Sequence, residues 1–398
     1  MKTFSRKYEA THPWITFEVD LRELPFEFWI VLGECQALCE SLAGIPLPPE
    51  VSKALYSLYL AKGAHSTTAI EGNTLSEEQV LAIVDKQADL PPSQSYLKQE
   101  VENIIFACSN ISFMLLHPKQ PSDSSVRVDE IKRTNQAVLR NLPGNDNGIP
   151  GEISRQSVTV GRYRGAPRED CEYLLERLCE WLNGDWPNAG GAINGVGMAA
   201  LKAVLGHLYL AWIHPFADGN GRTARLLEFW IMLSSGIPAP AAHLLSNHYN
   251  KTRQEYYRQL DLASRSGGDV MPFIGYALQG LRDGLREQTQ FVQQRQFEII
   301  WRNHVYEAFR EKRTAGDQRR RQLILDLAAR NKPVSGQRLA EISPKVAALY
   351  ARKTQKTLSR DIKELERLQL LLAEADGYQA NTETIRAFLP PRRSASTT

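Results

Sequence analysis

The sequence predicts a mainly α-helical protein that carries one short β-hairpin and ends in a separate small module. Apolar residues recur at helical spacing through most of the chain, as at Ile104, Cys108 and Ile111. Segments with the alternation of a β-strand are few. With 42% hydrophobic and 23% charged residues among 398, the composition is that of a globular chain long enough for two or three domains.

Charge divides the chain into two parts. Residues 301–398 hold 20 Lys and Arg against 11 Asp and Glu, whereas the whole chain holds 48 against 45. The C-terminal part is therefore basic and the rest mildly acidic, which predicts two modules with different partners.

Composition also bears on location. The N-terminus is polar and lacks the apolar core of a secretory signal, and no uninterrupted apolar run has the length of a bilayer span. The five cysteines show no Cys-x-x-Cys pair and no metal-ligand spacing, so we interpret them as small buried hydrophobes. We expect a cytoplasmic protein.

The most informative segment is the run His214-Pro-Phe-Ala-Asp-Gly-Asn-Gly-Arg-Thr-Ala-Arg225, which lies between two apolar helical stretches. Pro215 ends the first helix, since proline lacks an N–H group and clashes with the preceding turn. Gly219 and Gly221 predict a tight loop before the next helix, whose free N–H groups favour an anion such as phosphate. His207, in the first helix, is expected to be a core histidine.

This run matches every specified position of the Fic signature, so the chain resembles the Fic family of protein nucleotidyltransferases. The resemblance implies a Fic-type helical bundle that transfers AMP from ATP to a Ser, Thr or Tyr hydroxyl of a target protein, and of itself, releasing pyrophosphate. It implies His214 as the catalytic base and Asp218 as the ligand of Mg²⁺ or Mn²⁺. The ATP-binding residues that it implies are Glu71, Gly219, Asn220, Gly221, Arg222, Thr223, Arg225, Tyr257 and Ser264.

Two of these residues come from a second segment. Glu255-Tyr-Tyr257 resembles the family helix that packs near adenine, which implies Tyr257 as an adenine or ribose contact. Ser264 stands where relatives often have an asparagine. Core packing is an equally good interpretation of Tyr256 and Tyr257.

Residues 67–73, Thr-Thr-Ala-Ile-Glu-Gly-Asn, match the signature of the autoinhibitory helix of Fic proteins at Thr67, Glu71 and Gly72. Gly72 predicts that a helix ends just after Glu71. The resemblance implies that Glu71 pairs with Arg225, which withholds this arginine from the γ-phosphate and leaves ATP in an unreactive pose. Taken by itself, Glu71 could equally be a solvated helix-capping acid.

Val158 and Val160 flank a polar residue and predict a short strand, half of a hairpin. With Thr159 they resemble the Fic flap, onto which the target segment is laid as an added strand through main-chain hydrogen bonds. A plain surface hairpin is the alternative.

Residues 317–388 resemble a winged helix-turn-helix. We expect helices at 321–329, at 336–342 with Ser335 as the cap, and at 354–368, followed by a wing at 370–373 and 378–380. The third helix carries basic side chains that could face DNA phosphates, namely Lys353, Lys356, Arg360 and Lys363. Protein contacts or dimerisation are the alternative.

The predicted domains are an N-terminal helical region at 1–118 with the inhibitory motif at 67–72, a catalytic domain at 119–280, a linker helix at 281–316, the winged module at 317–388 and a disordered tail at 389–398. Expected partners are a hydroxyl-bearing target protein, DNA and a second copy of the chain, with no membrane. Two other functions stay open. One is removal of AMP by the same site, with Glu71 aligning water, and the other is a DNA-binding regulator whose Fic body senses nucleotide.

Overall fold

The protein forms two compact units, Met1–Gln290 and Phe291–Thr398. The computed structural model describes residues 5–118, 125–143, 148–184, 186, 195–312, 314–330 and 332–385. These residues are mostly helical with two short hairpins, which confirms the mainly α-helical fold class. The predicted domain limits stay predictions, and the tail at 389–398 lies outside the described residues.

The first unit is built from helices, two of which join at the 214–225 run. The helices are α1 Phe26–Ala43, α2 Pro49–Ile70, α3 Glu77–Val84, α4 Ser95–Leu116, α5 Val128–Val138, α6 Arg168–Asn183, α7 Val196–Ile213, α8 Asn220–Ser234, α9 Ala239–Ala242, α10 Leu244–Lys251, α11 Arg253–Arg265 and α12 Met271–Ala308, the last of which contains the boundary between the units. Its hairpin pairs β1 Thr159–Val160 with β2 Tyr163–Arg164 in antiparallel register.

Helix α7 is the core of this unit. It packs along α8 and against α1 and α6, and its side chains are almost all buried. By length and composition α7 could span a membrane, but 83% of it is buried inside the protein, as expected of a core helix. His207 has no exposed surface, which confirms it as a core histidine.

Helix α2 ends in a backbone turn that positions the predicted inhibitory residues. The Gly72 N–H donates to the Ala69 carbonyl at 3.0 Å, and the Asn73 N–H donates to the Thr68 carbonyl at 3.1 Å. This pair of bonds is a Schellman motif, which needs the left-handed backbone that Gly72 adopts at φ +102°. The turn leaves Glu71 at the helix end with its side chain free of capping contacts.

The second unit contains three further helices and a hairpin packed on one apolar cluster. They are α13 Ala315–Ala328, α14 Pro344–Tyr350, α15 Gln355–Arg367, β3 Leu371–Glu374 and β4 Gly377–Ala380. The helix predicted at 354–368 and the hairpin predicted after it are present as α15 and β3–β4. The cluster is centred on buried residues such as Leu323, Leu339 and Leu365.

One helix start and one whole helix prediction in this unit are wrong. Helix α13 begins at Ala315 instead of 321, because Thr314 and Asp317 form a capping box. No helix spans 336–342: Val334 pairs with Tyr378 of β4, and only a single 3₁₀ turn, Leu339–Glu341, follows. The helix starts instead at Pro344, where the Ser343 hydroxyl accepts a bond from the Val346 N–H at 3.1 Å.

A buried ion cluster joins α13, α14 and α15. The Asp361 carboxylate accepts from Arg319 Nε at 2.7 Å, from Arg320 Nη1 at 3.0 Å and from the Tyr350 hydroxyl at 2.9 Å. Asp361 is 1% exposed, so its charge depends on these donors instead of water. This cluster fixes the orientation of α15 within its own unit.

We expect Asp361→Ala to destabilise the second unit, because it leaves the Arg319 and Arg320 charges without their buried partner. The cost should be about 3–5 kcal/mol in the free energy of unfolding. Hydrogen exchange of the α15 amides in the full chain measures it, with Glu374→Ala as the control for losing an exposed carboxylate. Equal protection of α15 in both variants would contradict the proposed role of the cluster.

Candidate functional site

The loop between α7 and α8 is closed by its own side chains. Asn220 Oδ1 accepts from the Phe216 N–H at 3.0 Å, and Asn220 Nδ2 donates to the Phe216 carbonyl at 2.6 Å. Gly219 takes the left-handed backbone, at φ +75°, that lets α8 begin immediately after it. Among the described residues, no acceptor faces the N–H groups of Asn220, Gly221 and Arg222. This helix end can therefore bind an anion.

Gly221 does not belong to the loop, contrary to expectation, because it lies in the first turn of α8. The absence of a side chain at Gly221 matters because it leaves room beside α8, and not because it permits a turn of the backbone. A Cβ atom there would lie 2.5 Å from Glu71 Oε1 and 3.1 Å from Arg225 Nη1. The glycine allows these two side chains to meet against the helix.

His214 presents one nitrogen for proton transfer. Its Nδ1 lies 3.2 Å from the Ala211 carbonyl, which can only accept, so Nδ1 carries the proton and Nε2 keeps its lone pair. Burial lowers the pKa of His214 below its ordinary 6.5, against smaller raising effects of the Ala211 bond and of Glu71 and Asp218. The imidazole is therefore neutral near pH 7, as a general base requires.

The Asp218 carboxylate is half exposed and only partly hydrogen-bonded. Its Oδ1 accepts from the Gly219 N–H at 2.5 Å and from Arg222 Nη2 at 3.0 Å, while Oδ2 has no partner among the described residues. These residues contain no cluster of three or more metal-binding side chains. A single carboxylate with a free oxygen fits Mg²⁺, which takes one or two protein carboxylates and otherwise phosphate and water.

Arg225 is buried and forms an ion pair with the partly exposed Glu71. Arg225 Nη2 donates to Glu71 Oε1 at 2.5 Å and to the Thr67 carbonyl at 3.1 Å. The arginine side chain is 1% exposed and the glutamate side chain 32%. Burial raises the pKa of Glu71, but the charge and hydrogen bond of Arg225 lower it by more, so it lies below its ordinary value. The structure thus brings together the two residues that the inhibitory motif predicts to pair.

The hairpin lies beside His214. The Ala166 N–H donates to the Ile213 carbonyl at 3.1 Å, and the Ser154 N–H donates to the Pro215 carbonyl at 2.8 Å, so the segment containing the hairpin brackets His214 on both sides. Thr159 and Val160 are exposed and Val158 is half-buried. Their predicted role in target docking stays a prediction.

The two residues predicted at the nucleoside occupy different places. Tyr257 is 44% exposed and its hydroxyl donates to the Ile70 carbonyl at 3.0 Å, next to Glu71. Ser264 lines a cavity of about 830 Å³ together with His12, Tyr163, Arg164 and Gly165. Gly165 packs against His214, because a Cβ there would lie 2.6 Å from the His214 Cβ, so the cavity adjoins the base.

Sequence reasoning missed two polar residues that hold the loop. Glu100 of α4 pairs with Arg222 Nη1 at 3.0 Å, and Asn135 of α5 donates to the Asp218 carbonyl at 2.9 Å. Each lies on an otherwise apolar stripe of its helix, Glu100 with Ile104 and Asn135 with Ile131. The sequence signal that could have identified Glu100 and Asn135 was a polar residue at a position of the helix that the apolar pattern assigns to the core.

Known proteins are similar to this chain over the region that contains the site. The Fic/DOC family model matches residues 125–232, which include the whole 214–225 run. The chain is 34% identical over 225 residues to protein adenylyltransferase fic-1 of Caenorhabditis briggsae, and 33% over 221 residues to that of Caenorhabditis elegans. Each match covers 56% of this chain and 39% of the relative, so the chain spans well under half the length of these curated proteins.

Solved structures show the same fold. A Fic family protein from Desulfovibrio desulfuricans covers 90% of this chain and 96% of its own at a TM-score of 0.55, with 19% identity. Fic-1 of Caenorhabditis elegans covers 66% of this chain and 71% of its own at a TM-score of 0.50, with 27% identity. His214, Asp218 and Arg225 are thus arranged around one helix N-terminus inside residues 125–232, the stretch that matches the Fic/DOC family model.

Proposed function

We propose that the chain is an autoinhibited protein adenylyltransferase, which transfers AMP from ATP to a Ser, Thr or Tyr hydroxyl of a target protein and of itself. One observation carries the proposal: a neutral imidazole with a free Nε2, a helix end with unpaired N–H groups and a buried arginine meet at one loop. The names of the relatives, protein adenylyltransferases, support the same activity for this chain.

The phosphates of ATP fit the unpaired donors of the loop. Arg222 and Arg225 are buried, and the Nε–H group of each has no hydrogen-bond partner among the described residues. Buried donors without an acceptor are costly, and phosphate oxygens are the acceptors that arginine and a helix N-terminus bind best. We place the phosphates along Gly219–Thr223, with the γ-phosphate at Arg225. Asn220 then acts through its N–H and by closing the loop.

The reaction follows from the position of the base. His214 Nε2 takes the proton of the target hydroxyl as its oxygen bonds to the α-phosphorus, and the bond from that phosphorus to the bridging oxygen breaks, so that pyrophosphate leaves. The unpaired N–H groups at the α8 N-terminus stabilise the charge on the phosphate oxygens. The loop contains no strong nucleophile, which favours direct transfer over a covalent enzyme intermediate.

We assign Asp218 as the residue that holds the divalent cation, Mg²⁺ or Mn²⁺. When bound, such a cation neutralises phosphate charge. Asp218 is suited to this because it is half exposed and has a free Oδ2. Arg222 and the Gly219 N–H hold its other oxygen.

The nucleoside and the target occupy neighbouring places at the hairpin in this proposal. The cavity of about 830 Å³ lined by Ser264 has the volume of a small-molecule site and adjoins His214, so we place the nucleoside there. Target main chain would pair with β1, whose exposed Thr159 and Val160 leave one strand edge accessible. Such pairing depends on main-chain hydrogen bonds and not on side-chain identity, so a segment of the same protein can also be the target. Removal of AMP by this site is the alternative activity, with Glu71 aligning water.

A second candidate function is DNA binding by the second unit, whose element order resembles a winged helix-turn-helix. Lys353, Lys356, Arg360 and Lys363 are exposed and have no ion-pair partner among the described residues. Two of the three acids of α15 are neutralised internally, since Asp361 lies in its arginine cluster and Glu364 pairs with Lys312 and Arg367. The exposed face is therefore basic, which favours phosphate contacts.

The remaining proposals concern location and assembly. All five cysteines are buried and unpaired, which favours the reducing cytoplasm. A homodimer stays a prediction.

We expect Glu71→Gly to raise AMP transfer, because Arg225 is then free for the γ-phosphate. The increase should be roughly tenfold or more, since about 1.4 kcal/mol of competing pairing already gives a factor of ten. Label from α-³²P ATP should appear on protein, and label from γ-³²P ATP should not. Arg225→Ala should lower transfer, and the double variant should behave like Arg225→Ala.

The control for Glu71→Gly is Asp85→Gly, which removes an exposed carboxylate from the same cap position of α3. An inactive Glu71→Gly variant that has also lost AMP removal would make the carboxylate catalytic and move the assignment to the alternative activity. Label from the γ-position would reject AMP transfer.

In the Glu71→Gly background, His214→Ala should reduce transfer by about 10²–10⁴-fold, the usual effect of losing a general base. Neutral imidazole is the active form, and the pKa of His214 lies below 6.5 and falls further without the Glu71 charge. The pH at which the rate falls to half of its maximum should therefore lie below 6.5. The exposed His117→Ala is the control, and a rate that halves well above pH 6.5 would contradict the assignment.

For DNA binding, we expect Lys356→Ala, Arg360→Ala and Lys363→Ala together to weaken binding of a labelled 30-base-pair duplex of arbitrary sequence. The slope of log affinity against log salt should decrease by about 0.9 for each phosphate that the variant no longer neutralises. A triple variant of exposed arginines on α12 and just after it, at Arg295, Arg302 and Arg310, is the matched control. Equal affinities of the two variants, or no binding by the parent in 50 mM salt, would leave protein contacts as the role of this unit.

A further inference from the structure

Arg222, in the first turn of α8, is held by two carboxylates. Arg222 Nη1 donates to Glu100 Oε1 at 3.0 Å, and Arg222 Nη2 donates to Asp218 Oδ1 at 3.0 Å. The side chains of Arg222 and Glu100 are 6% and 9% exposed, whereas that of Asp218 is 50% exposed. Glu100 and Arg222 are thus fixed inside the protein, whereas Asp218 reaches the solvent at the loop.

Glu100 is in turn held from its second oxygen. Asn73 Nδ2 donates to Glu100 Oε2 at 3.0 Å and to the Leu97 carbonyl at 2.9 Å, and Asn73 itself is 7% exposed. Both oxygens of Glu100 therefore have a fixed donor. A carboxylate restrained in this way directs the planar guanidinium of Arg222, which offers its donors in a rigid fork.

We propose that Glu100 is a positioning residue for AMP transfer, which orients Arg222 so that the guanidinium holds Oδ1 of Asp218 and leaves Oδ2 for the divalent cation. This inference rests on the proposed function. Outer contacts of this kind set the orientation of metal-binding carboxylates, and their removal typically weakens metal affinity by about 10–100-fold. Each Nη of Arg222 uses one of its two N–H groups on a carboxylate, so the second N–H of each Nη and the Nε–H stay available for phosphate.

A merely structural Glu100 would give a different result. A buried ion pair contributes to folding whatever the loop does, and its removal would then lower the thermal stability and the amount of active enzyme without altering the cation requirement. A positioning role alters the concentration of cation at half-saturation. Measuring the affinity for the cation separately from turnover therefore distinguishes a positioning role from a structural role.

The test uses the full chain with Glu71→Gly, so that the brake does not limit the rate. Adding Glu100→Gln should raise the Mn²⁺ concentration at half-maximal AMP transfer by roughly tenfold, while Glu100→Asp, which keeps the charge, should lie between the two. A direct readout is the Mn²⁺ EPR signal, titrated with ATP present in the Glu71→Gly/His214→Ala background, where ATP is not consumed. The Mn²⁺ dissociation constant should rise by the same factor.

The matched control is Glu130→Gln, which removes another buried, arginine-paired carboxylate from the same unit and should leave Mn²⁺ affinity unchanged. Unchanged Mn²⁺ affinity in Glu100→Gln would overturn the inference, even if turnover falls. If that variant does not fold, Asn73→Ala tests the same chain of contacts and should weaken Mn²⁺ binding by a smaller factor; unaltered binding there would also overturn it. An inactive Glu71→Gly parent would instead reject the proposed function.

Discussion

The site depends on one constraint, the burial of the Arg225 guanidinium. A guanidinium that is 1% exposed keeps its charge even without an anion beside it, so leaving it unpaired costs several kcal/mol. Glu71 provides that anion within the chain, and a γ-phosphate would provide it from outside. In the proposed function, inhibition and nucleotide binding are two ways to satisfy the same buried charge.

The rest of the first unit keeps that charge in place. Helices α7 and α8 pack along each other in the core, and the loop that joins them is closed by Asn220 and anchored by Asn135. The segments around the hairpin pair with the backbone on both sides of His214. These contacts are backbone or buried polar bonds, which change little in a packed interior, so His214, the N-terminus of α8 and Arg225 are held in fixed positions.

Sequence reasoning predicted the elements that local patterns encode. Pro215, Gly219 and Gly72 mark where α7 ends, α8 begins and α2 ends, because each acts through its own backbone. It failed for α14, where pairing of Val334 with the distant Tyr378 decides the conformation. It also missed Glu100, because nothing local shows that a glutamate of α4 meets Arg222 from 122 residues further along the chain. Long-range pairings of this kind come only from the fold.

The turn after α2 has a consequence for the speed of switching. Gly72 and Asn73 close the helix end through backbone N–H groups, so the Glu71 side chain has no part in that closure. Its carboxylate can rotate away from Arg225 while α2 keeps all its backbone bonds. Such rotamer changes take nanoseconds to microseconds, far faster than enzymatic turnover. Rotation of Glu71 away from Arg225 would then be a rapid pre-equilibrium. The rate of AMP transfer would be proportional to the fraction of molecules in which the two are apart, and no slow refolding step would limit it.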